Sequence, residues 1–158
     1  MWQYILPLLP GRKIKRNRII FFLQPGKLTA ITVYILVVGL VYQLVLRGIW
    51  KPEGLQWLAD EVLHSINPVL VLAFWVYFEN KVALHWRMLP YWLIYPALYL
   101  ISILILGEIT GFYPYPFVNV EELGIGKVIL NSFYVMCLIL FISGSLLFTG
   151  KYLLRYKL

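Results

Sequence analysis

The chain predicts an all-α, polytopic membrane helix bundle of about four transmembrane helices with both termini on the cytoplasmic side. Three observations predict it. Of its 158 residues 61% are hydrophobic and only 13% charged, with a mean hydropathy of +0.79, whereas a globular domain carries roughly 25% charged residues. Four apolar runs are long enough to cross a bilayer core of about 30 Å at 1.5 Å per residue. The basic residues gather on one side of those runs. The aromatic share of 17% suits helix ends among lipid headgroups. A formal charge of +7 would suit nucleic acid, but the basic residues flank apolar runs, so membrane lipids are the expected partner and nucleic acid is not.

The start, residues 1–27, reads as a truncated apolar segment from Met1 to Pro10 followed by the basic cluster Arg12, Lys13, Lys15, Arg16 and Arg18. A secretory signal has the opposite order, so no cleaved leader is expected. Residues 28–158 then form the transmembrane domain. Helix one is expected over 28–46, with the run TAITVYILVVGLVYQLVL. After the turn-like GIWKPEG, helix two covers 55–78, polar in its first half and apolar in its second. Helix three covers 88–106, with Pro90 in a first turn where its missing N–H costs little and Pro96 deeper, where a bend that lines a cavity is expected. The stretch from Gly107 to Gly126 reads as a loop, and the GxxxG spacing of Gly107 and Gly111 as turn chemistry instead of packing. Helix four covers 127–150. No repeat or linker divides the chain.

Orientation follows from Lys and Arg. Arg12 to Arg18 and Lys27 precede helix one, Lys81 and Arg87 follow helix two, and Lys151, Arg155 and Lys157 follow helix four; the other side holds Arg47, Lys51 and Lys127. Both termini are therefore expected inside. With alternating helix directions, Tyr42, Gln43, His64, Ser102, Glu108, Asn131 and Ser132 fall in the outer third, while the inner halves are almost purely apolar.

The site candidate is His64. Asp60 and Glu61 precede it by four and three residues, spacings that share a helix face, so a carboxylate can fix the imidazole tautomer as in nucleophilic catalysis. Ionisable residues at membrane depth point to function by default, although an interhelical hydrogen bond is the plainer use of such a histidine. Gln43, Tyr42, Asn67 and Asn131 are the candidate substrate-binding groups. His85 lies at the opposite depth, and Cys137 is a lone cysteine in an apolar run, so no metal site, disulfide or cofactor is expected.

The phrases VYILVVGLVYQLVLRGIW, LADEVLHSINPVLVLAFW, YWLIYPALYL and GEITGFYPYPFVNVEELG, leading to KVILNSF, together resemble the bacterial Pr-six-Pr branch of the androgen-induced six-helix membrane protein superfamily, from about Pro25 to Arg155. The resemblance implies a multi-pass protein of a bacterial inner membrane. Animal members look like intramembrane hydrolases of fatty acid esters of hydroxy fatty acids, with a threonine nucleophile and a histidine base, and His64 matches that histidine. The threonine phrase, FTxxSN at the start of the family's second helix, has no counterpart here. The chain is expected to begin inside the equivalent of that helix, and Thr29 and Thr32 lie at the wrong depth to substitute.

Two functions follow. One is a lipid-ester hydrolase with His64 as base, Asp60 or Glu61 orienting it, and Asn131 or Gln43 holding a carbonyl oxygen. The other is a non-catalytic lipid- or partner-binding membrane protein, in which an oligomer would cover exposed surface. A transporter or channel would need polar residues through the full depth, against the apolar inner halves.

Overall fold

A computed structural model describes residues 25–155. The whole apolar start from Met1 to Pro10 and the basic cluster at 12–18 lie outside the described residues. The architecture is all-α, with no strand among the described residues. Helices α1 (Lys27–Leu46), α2 (Leu55–Phe78), α3 (Leu89–Thr110) and α5 (Ile125–Arg155) are long and apolar enough to cross a membrane, and a single turn, α4 (Val120–Leu123), lies between the last two. Many large apolar side chains face outward, among them Leu55 at 85% and Leu44 at 78% exposure. Water does not tolerate apolar surface of that extent, and lipid does.

Two boundaries differ from the sequence reading. Helix α3 continues past residue 106 to Thr110, and Gly111 ends it with φ +69° and an N–H bonded to the Gly107 carbonyl at 2.8 Å. Gly107 is a packing position and not turn chemistry: a Cβ there would lie 2.1 Å from the Tyr113 ring. Helix α5 starts at Ile125 and reaches Arg155, so the predicted loop at 107–126 contracts to 111–119 and α4. The Asn119 side chain caps α4, accepting from the Glu121 and Glu122 N–H groups at 3.1 and 3.3 Å.

Helix α1 packs along both α2 and α5, and α3 packs along α5. The α1–α2 contact is set by a proline. Pro68 has no N–H to offer the His64 carbonyl four residues earlier, and its ring would crowd that carbonyl in a regular α-turn. The helix widens into a π-helical stretch at Val62–Ile66 just before it. Gly39 of α1 sits against this spot; a Cβ would lie 2.7 Å from the Pro68 ring and 3.2 Å from the His64 carbonyl oxygen. A matching π-helical stretch, Tyr42–Leu46, follows in α1.

At the other end of the pair, Glu79 is buried after α2. One of its oxygens accepts from the Thr29 N–H at 2.9 Å and the Thr29 hydroxyl at 2.7 Å, the other from the Asn80 N–H at 3.0 Å. Trp75 Nε1 donates to Thr29 Oγ1 at 2.8 Å, and Lys81 Nζ donates to the Val76 carbonyl at 2.6 Å. The carboxylate thus satisfies an N-terminal amide of α1, where negative charge is favoured. The apolar core beside it contains Val33, Trp75, Leu84, Trp92, Ile142 and Leu147.

Glu79→Ala leaves the Thr29 amide and hydroxyl without their acceptor. We expect a loss of about 2–3 kcal/mol, with Glu79→Gln costing less, checked by unfolding in mixed detergent micelles. Gly39→Ala should also destabilise, by about 1–3 kcal/mol, because the buried Pro68 ring cannot swing aside; thermal melting in detergent measures it.

Candidate functional site

The π-helical stretches of α1 and α2 face each other and carry Tyr42, Gln43, His64 and Ser65, with Asp60 and Glu61 just before the second stretch and Asn67 just after it. Each stretch shifts the side chains beyond it around the helix axis, which divides these residues into two groups. In the first, the rings of Tyr42 and His64 stack with centroids 4.3 Å apart and planes 14° from parallel. The Tyr42 hydroxyl donates to Asp60 Oδ2. His64 Nδ1 lies 3.1 Å from Asp60 Oδ1 and 3.1 Å from the Asp60 backbone carbonyl. Both neighbours are acceptors, so the neutral ring carries its proton on Nδ1. Nε2 is left as the lone-pair nitrogen, without a partner among the described residues.

The second group turns away from the imidazole. Gln43 Nε2 donates to Ser65 Oγ at 2.8 Å, Ser65 Oγ donates to Glu61 Oε2 at 2.6 Å, and Arg47 bridges Gln43 and Glu61. Glu61 therefore pairs with Arg47 and Ser65, and of the two predicted carboxylates it is Asp60 that meets His64. Gln43 has its amide nitrogen engaged with Ser65. Asn131, on α5, donates to the Phe117 carbonyl at 2.9 Å and pins the 111–119 loop.

His64, Tyr42 and Asn67 line a cavity of about 540 Å³ enclosed by α1, α2, α3, α5 and the loop. That volume lies in the range of ligand pockets. The walls are largely apolar, with Val38, Leu63, Leu100, Val135 and Met136 among them, and Pro96 of α3 also contributes. Among the described residues that line it, His64 alone carries an imidazole. The side-chain amide of Asn67, one turn below His64, has no hydrogen-bond partner among the described residues, whereas its backbone N–H donates to the Val62 carbonyl. Tyr115, Phe117 and Val118 form part of the wall from the loop side. Beside them in the loop, Tyr113 has its phenol pushed up by desolvation and then by Glu108 and Glu121.

The serines of α3 and α5 at this depth are engaged elsewhere. Ser132 lines the cavity but donates to the Val128 carbonyl at 2.7 Å, and Ser102 donates to the Leu98 carbonyl at 2.8 Å. No hydroxyl or thiol other than the Asp60-bound Tyr42 meets His64 among the described residues. Thr29 and Thr32 lie about 20 Å and about 15 Å along α1 from Tyr42. His85 is exposed in the α2–α3 connection, and no cluster able to hold a metal occurs among the described residues.

No family model matches the chain, no curated protein matches it, and no solved structure matches it.

Sequence reasoning missed Gly39, Pro68 and Ser65. The readable signal was Pro68 itself, four residues after His64 inside an apolar helix. The geometry predicts that histidine-selective ¹⁵N NMR finds the Nδ1–H tautomer of neutral His64, and that Asp60→Ala shifts the population toward Nε2–H.

Proposed function

We propose that the cavity receives the acyl part of a membrane lipid ester and that His64, oriented by Asp60, acts as general base in its hydrolysis. The observation that carries this reading is the His64–Asp60 pair at the polar end of an apolar cavity, with Nε2 left free. Among the described residues no side-chain hydroxyl is offered to His64 as a nucleophile, and on this reading water takes that part. Nε2 takes a proton from water as its oxygen attacks the ester carbonyl; the acyl C–O bond then breaks, and the proton passes to the departing alkoxide. Asn67 is placed to donate to the developing oxyanion. The resemblance to the Pr-six-Pr proteins supports the same histidine as base and a bacterial inner membrane as the location. The charge asymmetry supports termini inside, which puts the site in the outer leaflet.

A second reading has its own observation. The engagement of Ser65 and Ser132 with other acceptors favours a protein that binds a lipid without cleaving it.

Hydrolysis of a panel of lipid esters by the purified protein in detergent separates the two. On the hydrolase reading His64→Ala lowers turnover by about 10²–10⁴-fold while co-purifying lipid is retained. Retained lipid with no His64-dependent turnover selects the binding reading, and loss of both overturns the cavity as a lipid site.

A further inference from the structure

A four-helix bundle closes when each helix packs on two neighbours. Here the packing runs α2 to α1, α1 to α5, and α5 to α3, and no comparable packing joins α3 back to α2 among the described residues. Helix α3 also meets α1 at its Trp92 end, where the Tyr34 hydroxyl donates to the Trp92 carbonyl at 2.8 Å. The bundle is therefore a cleft, closed at that level and open above it. Residues that line the cavity are exposed along this opening: Leu63 of α2 at 57%, Tyr95 and Tyr99 of α3 at 61% and 42%, and Val38 on the α1 wall at 51%.

The depth of the cleft is informative. Its lining on α1 runs from Tyr34 to Leu46, about 18 Å along the axis. One leaflet of a bilayer core is about 15 Å deep. Below Tyr34 the bundle is filled by the core around Trp75, Trp92 and Leu147. Polar groups, His64 and Asn67, sit toward the other end. We propose that the slot between α2 and α3 is a lateral portal through which a lipid of one leaflet slides its acyl chain into the cavity, its polar part staying level with His64. The ligand need not leave its leaflet or cross water, because its chain keeps the direction and depth it has in the bilayer. On the loop side Tyr115, Phe117 and Val118 contribute to the wall. This inference rests on the cavity being a lipid site, and the test separates the two.

The experiment uses the full chain in phosphatidylcholine liposomes with a single-chain acyl lipid carrying a mid-chain diazirine, flashed at short times, with adducts mapped by mass spectrometry. Adducts on Leu100 and the buried Ile103 are expected in the unmodified protein. Leu63→Trp narrows the slot and should slow their appearance about tenfold, while Tyr99→Ala should speed it; adducts on Phe141 and Phe148, on the outer face of α5, stay constant. Cavity adducts at equal rates in all three proteins would overturn the portal and keep the lipid site. Adducts on Phe141 with none in the cavity would overturn the lipid site itself. A disulfide-linked dimer of Leu63→Cys in a Cys137→Ala background would place a second copy over the slot and overturn the portal.

Discussion

The close approach of Gly39 to Pro68 is the constraint on which the site depends. A proline inside α2 removes the donor that His64's carbonyl would have used, and the helix answers by widening over Val62–Ile66. Widening alone would leave a bulge for lipid to fill. Glycine on α1 lets the partner helix fit against it, so the two backbones meet where the histidine is held. From that contact follow the stack of Tyr42 on His64 and the reach of the Tyr42 hydroxyl to Asp60. Within a membrane, close backbone approach and satisfied polar groups have to supply the association that apolar burial supplies in water.

The α1–α2 pair carries a polar tie at each end. Glu79 joins the start of α1 to the end of α2, and the Gln43–Ser65–Glu61–Arg47 group joins the opposite ends. The outer tie is partly exposed, with Arg47 at 51%, so it contributes less than its short contacts suggest. The buried tie carries more, since Glu79 has three donors in a dry setting. Two ties make this pair a rigid wall with α5 behind it, while α3 is joined to the wall chiefly near Trp92 and through α5. The cavity exists because α3 stands off the wall along its upper half.

Much of the fold was legible in the sequence because membrane depth is written into composition. A run such as 28–46 or 55–78 is long and apolar for one reason, and its limits fall where Arg47, Gly54 and Glu79 make continued burial costly. The end of α3 was not legible, because Gly107 looks like a turn residue until Tyr113, six residues on, folds back over it. At the site, alternating helix directions place Tyr42 and His64 at one level, and the four-residue spacing puts Asp60 on the same helix face as His64. Choice of partner was hidden. Glu61 is as near in sequence as Asp60, but the helix turns it toward Arg47 of α1, which a reading of α2 alone cannot show. The Thr29–Glu79 tie joins residues 50 apart, so no local pattern announces it.

What the site can do turns on where its proton goes. Asp60 accepts from both Tyr42 and His64, and the imidazole lies between that carboxylate and the face of the Tyr42 ring. A histidine used only to tie helices together would place both ring nitrogens on partners from neighbouring helices. Here one nitrogen is tied within its own helix and the other makes no contact among the described residues, which is the disposition that the proposed general base requires.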